Sequence, residues 1–246
     1  MDRMLYIAMS AAGQTMSAQA VNSHNLANVS THGFRADLLE AESLALYGPG
    51  QPSRVYSGIK GQGVDFASGA MVNTGRDLDV AIQGEGWIAV QAGDGSEAYT
   101  RAGDLHVNPS GVLETANGLM VLGNGGPITL PPAEKLEIGA DGTISIQPLG
   151  QTAATLAVVD RLKLVNPDVA TLAKGPDGLL RTQDGIVTAP DARVRVSAGS
   201  LESSNVNAVE EMVKMISLAR QFEMQVKMMA TAQQDDAAAT QIMRIT

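Results

Sequence analysis

The sequence predicts an α+β protein, with a long helix at each end of the chain and a central all-β domain, an antiparallel sandwich or barrel, between them. Three observations carry this expectation. All 10 prolines lie between Pro49 and Pro190, and 24 of the 26 glycines lie between Gly48 and Gly199. Ten of the 12 methionines lie outside that span. Short β-rich runs joined by Asp-Gly and Asn-Gly dipeptides fill the middle. Gly and Pro break helices whereas Met and Ala suit them, so the chain divides into a helical head, a punctuated middle and a helical tail.

The head reads as an amphipathic helix from Arg3 to Val29, about 40 Å long. Leu5, Met9, Ala12, Met16 and Ala20 recur at three- and four-residue spacing, and Leu26 and Ala27 extend the face. The pattern stops at Asn28-Val29-Ser30-Thr31-His32-Gly33, where Gly33 suits a turn. Residues 4–34 carry no formal charge, and Asp2 and Arg3 before them cancel. A secretory signal needs a positive leading region, which is missing, so none is expected. The apolar run from Met4 to Met9 is far shorter than the roughly 20 residues of a membrane span. A second, shorter helix is expected over Asp37 to Leu46, ended by Gly48-Pro49-Gly50.

The middle, from about Gly50 to Ser200, reads as one β domain. Leu78–Ile82, Trp87–Val90, Thr143–Ile146, Thr155–Val159 and Arg193–Val196 are strand-like runs. Asp94-Gly95, Asn117-Gly118, Asp141-Gly142, Asp177-Gly178 and Asp184-Gly185 are dipeptides that close hairpins. The tail, from about Asn205 to Ile245, holds neither Gly nor Pro and would span about 60 Å as a helix. Val209, Met212, Ile216, Ala219, Phe222, Val226 and Met229 mark its stripe, which Met215, Leu218, Met228 and Ala232 widen beyond a two-helix seam. Ser204-Asn205 suits its N-cap, and Glu210 and Glu211 sit where the helix dipole favours acids. The division is therefore residues 1–35 (helix and turn), 36–70 (connecting helix or extended segment), 71–200 (β domain) and 201–246 (terminal helix).

Charge and composition exclude whole classes. With Lys plus Arg at 17 and Asp plus Glu at 26, the net charge is −9, which disfavours nucleic-acid binding and adsorption on anionic membranes. There is no cysteine, hence no disulfide, thiolate metal site or thiol chemistry. Gly84-Glu85-Gly86-Trp87 only loosely resembles a dinucleotide fingerprint, because a hairpin and not a helix follows it. His24 and His32 are eight residues apart, not the four of a helical metal pair. No nucleophile elbow, P-loop or distinctive carboxylate pair is present. The chain is therefore expected not to be an enzyme, with no catalytic, cofactor-binding or metal residues.

The layout poses an energetic problem. Two apolar-faced helices packed only on each other would leave much of their apolar band in water. Burial contributes roughly 25 cal/mol per Å², so such a band favours association with neighbouring chains.

The motifs carry a specific resemblance. Asn25-Leu26-Ala27-Asn28-Val29-Ser30-Thr31-His32-Gly33-Phe34-Arg35 resembles the N-terminal signature of the rod, hook and hook-associated axial proteins of the bacterial flagellum, with His24 where Asn is usual. Thr74 to Trp87 resembles that family's central block, with Trp87 where Phe is commoner. Tyr99-Thr100-Arg101-Ala102-Gly103-Asp104 and Gly111-Val112-Leu113 match its next block, and Gly199 to Val206, Glu210-Glu211-Met212 and Arg220-Gln221-Phe222-Glu223 its C-terminal signature.

The resemblance implies a structural subunit of the proximal rod, in the basal body, passed through the flagellar type III export apparatus without a cleaved signal. The terminal helices would pack as a coiled-coil-like core of a helical tube that transmits torque across the periplasm. The partners implied are other rod proteins and further copies of this chain, with no nucleic acid, no membrane insertion and no cofactor. Subunit assembly would then fall to Leu5, Met9, Ala12, Met16 and Leu26 in the head and Asn28, Gly33 and Phe34 in the turn. Val209, Met212, Ile216, Ala219, Phe222, Val226 and Met229 would serve in the tail. Two alternatives stand beside this: a distal-rod member of the same family, and a cell-wall carbohydrate-binding or enzymatic β domain with helical oligomerisation ends.

Overall fold

The computed structural model describes residues 2–45, 55–148 and 156–245. It has a long N-terminal helix, α1 (Asp2–Ala27), a long C-terminal helix, α2 (Ala208–Ile245), and an antiparallel β-rich region between them. The chain is thus α+β. It divides into two compact units, neither continuous in sequence. The first holds Met1–Val29, Asp37–Asp65 and Val206–Thr246; the second holds Ser30–Ala36 and Phe66–Asn205.

In the first unit α1 and α2 pack along each other. The antiparallel hairpin of β1 (Asp37–Ala45) and β2 (Val55–Val64) packs on α1. The short helix expected over 37–46 is therefore corrected: residues 37–45 are strand. Leu, Ala and Glu, which dominate β1, favour helices in isolation, but pairing with β2 and a clamp at the first residue override that preference. The clamp is Asn25, whose side-chain amide donates to the Asp37 carbonyl at 2.9 Å while its oxygen accepts from the Asp37 N–H at 2.8 Å. The His24 imidazole meets the Asp37 carboxylate at 2.6 Å. The proposed Gly48-Pro49-Gly50 terminator lies outside the described residues.

The cap of α2 also differs from expectation. Asn207, not Ser204 or Asn205, fills the role: its side-chain oxygen accepts from the N–H of Val209 at 3.0 Å and of Glu210 at 3.4 Å. In the second unit, Asn205 is committed elsewhere, accepting from the Ala36 N–H at 2.8 Å and donating to the Ala67 carbonyl at 3.1 Å.

The second unit is built on an eight-stranded antiparallel sheet. Its path runs Leu172–Lys174, Leu180–Thr182, Glu97–Thr100, Trp87–Gln91, Met120–Val121, Leu113–Thr115 and Leu105–Val107, with Leu164–Val165 paired to the Trp87 strand. Ala133–Ile138, Thr143–Pro148 and Ala157–Arg161 form a second sheet. Val80–Gln83 pairs with Arg195–Ala198, and Met71–Asn73 with Ser200–Glu202. Four of the five turn dipeptides lie between adjacent paired strands; Asp184-Gly185 instead follows strand Leu180–Thr182. One core serves these sheets, with Ile88, Val90, Leu105 and Leu113 from the large sheet, Ile144 from the second, and Val80 and Val196 from the pair.

Candidate functional site

In the first unit α1 turns Leu5, Met9 and Met16 away from its seam with α2. The buried residues of α1 are Ala8, Ala12, Thr15, Asn22 and Asn25, small or polar throughout. Leu5, Met9 and Met16, the large members of the predicted head stripe, stay exposed, Met9 at 55% and Met16 at 59%. Ala12 alone of that stripe is buried, and Leu26 is half-buried. Small residues let two helix axes approach closely, and a neighbour that packs on α1 from outside meets thioethers and a leucine.

On α2 the least exposed positions include Glu211, Met215, Leu218, Phe222, Gln225, Met229 and Ala232, in alternating steps of four and three. The predicted tail stripe follows a different line. From Val209 to Met229 it advances about 3.3 residues per step, against 3.6 per helical turn, so it winds about half-way round the helix. Val209 (71% exposed), Met212, Ile216 (56%) and Val226 lie outward, while Ala219, Phe222 and Met229 are half-buried. Val213, Met224 and Met228, which that stripe omits, are also exposed.

At one end of the helix seam a buried amide meets a buried carboxylate. The Asn22 amide donates to the Glu211 carboxylate, and both residues are buried. The Lys214 ammonium donates to Glu211 at 2.9 Å and pairs with Glu210 at 3.2 Å. The bond to Glu211 holds the ammonium above the usual lysine range. The Asn22 side-chain oxygen, also buried, has no hydrogen-bond donor among the described residues.

In the first unit, Asn28 closes the end of α1 by donating its side-chain amide to the His24 carbonyl at 2.9 Å. The chain that follows, residues 30–36, is built into the second unit. Gly33 donates its N–H to the Glu202 carbonyl at 2.8 Å and has φ +68°; a Cβ there would sit 2.2 Å from the Arg101 backbone carbon. Both the conformation and the space require glycine. Phe34 is half-buried, its ring under the Lys174 ammonium at 3.9 Å.

Arg35 then enters a buried charge cluster. Glu202, 1% exposed, accepts from Arg35 at 2.7 Å, from the Gly69 N–H at 2.9 Å and from Arg101 at 2.9 Å. Arg101 also donates to the Gly84 carbonyl at 2.7 Å. Both guanidiniums lie over the Trp87 ring, 5.1 Å away for Arg101 and 5.8 Å for Arg35, and Phe66 meets the same ring edge-on. Burial pushes the Arg101 pKa down; Glu202 opposes that and Arg35 adds to it. The sequence contains Arg35, Trp87, Arg101 and Glu202 in the quoted motifs, yet nothing in their spacing announces that they meet. Charged residues far apart in a chain read as solvated ones.

Among the described residues no group of three or more His, Cys, Asp or Glu is placed to hold a metal, and no helix is long and apolar enough to cross a membrane. An open cleft of about 450 Å³ in the second unit is lined by Asn73, Gly75, Asp77, Glu137, Ile138, Ala198 and Gly199. None of these is an aromatic platform for a sugar ring.

Three family models match the chain in order. Residues 5–35 match one described as flagella basal body rod protein, residues 81–146 the flagellar hook protein FlgE/F/G D1 domain, and residues 197–242 the flagellar basal body rod FlgEFG protein C-terminal. The chain is 42% identical to the flagellar basal-body rod protein FlgF of Salmonella typhimurium and 44% identical to that of Escherichia coli, in each case over the full length of both chains. It is 31% identical to the flagellar basal-body rod protein FlgG of Agrobacterium fabrum, over 92% of this chain and 95% of that protein.

Proposed function

This chain belongs to the flagellar basal-body rod protein family and is a structural subunit of the rod, and we propose that its two terminal helices pack as coiled coils with those of neighbouring subunits. The observation that carries this reading is the outward turn of Leu5, Met9 and Met16 on α1 and of Val209, Met212 and Ile216 on α2. The seam itself takes Ala8, Ala12 and Thr15 of α1 and Met215, Leu218, Phe222 and Met229 of α2, and the apolar side chains left outside it gain burial when other chains pack on them. The partners we propose are further copies of this chain and other rod proteins, stacked into a tube that carries torque across the periplasm. We also propose passage through the flagellar export apparatus. Identity of 42–44% to FlgF proteins against 31% to a FlgG protein favours the proximal over the distal rod.

The test is complementation of a strain deleted for this gene. Met9→Asp and Ile216→Asp place a charge on each outward face without touching the Trp87 cluster. Both variants are expected to keep wild-type Trp87 fluorescence when purified and to abolish swarming. Full swarming by both would sink the proposal that these faces make subunit contacts.

A further inference from the structure

The polar group set into the seam of α1 and α2 is incompletely satisfied. Glu211 occupies a position in the four-and-three alternation where an apolar residue would bury more surface and need no partner. Its carboxylate is instead held by Asn22 and Lys214, and the Asn22 oxygen is left buried without a donor among the described residues. A half-satisfied polar pair is less stable than a packed apolar one. The remainder of the α1 seam is repetitive: Ala8, Ala12 and Thr15 are small, and small side chains in series distinguish poorly between alternative alignments of a partner helix.

We propose that Asn22 and Glu211, with Lys214 holding the Glu211 carboxylate from its own helix, fix the register and orientation at which the two terminal helices pair, as specificity-determining residues for assembly. Asn22 lies near the C-terminal end of α1 and Glu211 near the N-terminal end of α2, so from this point the two helices run in opposite chain directions. A slip of seven residues that brings Leu218 to Asn22 carries Glu211 to Val29, past the end of α1. The buried amide then faces a leucine, and the carboxylate keeps Lys214 of its own helix but loses Asn22, so the slipped alignment is penalised twice. A slip of seven residues keeps the same face of each helix outward, so a correct register decides instead which outward side chains lie level with one another, Met9 and Met16 on one helix and Met212 and Ile216 on the other. One polar pair thereby controls the pattern that a neighbouring subunit meets.

The inference rests on the rod reading, and the experiment separates the two. Asn22→Leu, Glu211→Leu and the exchange Asn22→Glu with Glu211→Asn are expressed in cells deleted for the gene, beside the wild-type chain. Each purified protein is measured by circular dichroism. The single leucine variants are expected to match or exceed wild-type helicity, yet to lower swarm diameter by about half or more, because a polar seam residue specifies alignment at a cost in stability. The exchange, which restores an amide–carboxylate pair in reversed order, is expected to recover swarming. Wild-type swarming by both leucine variants overturns the proposal and leaves the rod reading standing. Swarming that falls in step with helicity and is not recovered by the exchange reduces the pair to a structural contact and also overturns it. Failure of the wild-type chain to restore swarming overturns the rod reading, and this proposal with it.

Discussion

Single residues decide whether the second unit closes. Glu202 is the counter-charge for two arginines that are themselves almost completely buried, and it holds the Gly69 backbone as well. Removing one partner of a buried ionic group leaves the others uncompensated, which costs about 3–5 kcal/mol. Glu202→Ala is therefore expected to lose about that much stability in a denaturant titration. Trp87, the sole tryptophan, lies under both guanidiniums, so its emission reports on the site of damage. A loss below about 1 kcal/mol would mean that water or a relaxed side chain takes over the role of Glu202. This cluster was not legible in the sequence. Arg35, Arg101 and Glu202 belong to separate motifs, and no local pattern tells a buried charge from a surface one. Gly33 was legible as a turn, but the backbone of Arg101 pressed against it was not.

At the scale of elements, what could be read depended on whether the signal was local. The Asp-Gly and Asn-Gly turns are local, and four of five fall between paired strands. Their carboxylates also carry a pH dependence. Hydrogen bonds from Ser96 and Thr143 hold Asp94 and Asp141 below the usual carboxylate range, and bonds from the Arg181 guanidinium do the same for Asp177. A carboxyl that titrates lower in the folded than in the unfolded chain contributes stability above its unfolded value, about 3.9, and loses it as pH falls through the folded one. The melting temperature is thus expected to fall progressively below about pH 4, while changing little between pH 5 and 7 for this cause. A midpoint unchanged down to pH 3 would contradict it. The strand β1 was misread because its leucines, alanines and glutamates state a helical preference that Asn25 and β2 overrule from a distance. On α2 the apolar residues of the predicted stripe advance by about 3.3 per step and so wind around the helix, some outward and some toward the seam with α1.

The whole molecule is two interleaved units, and their stabilities are expected to differ. The second has a continuous core and a buried, ion-paired charge cluster; the first rests on a narrow seam whose α1 side is small and polar and whose α2 apolar residues are mostly half-buried. Limited proteolysis of the purified chain, with fragments weighed by mass spectrometry, is expected to cut within 2–29 and 206–245 before it cuts within 66–205, since weakly packed segments open first. Ends that survive as long as the middle would show that the helices already have enough partners within one chain.

The bond between Arg35 and Glu202 joins residues separated by 167 positions. Every chain leaves the ribosome N-terminus first, so Arg35 and Arg101 are made well before the glutamate that pairs with both of them. At ordinary elongation speeds the wait between residues 35 and 202 is roughly ten to thirty seconds. During it, burying the two arginines together would place like charges side by side in a poorly polarisable interior. The Arg35–Arg101–Glu202 site therefore cannot be completed until the last strand, Ser200–Glu202, has been made, and loop closure over so long a separation adds to the wait.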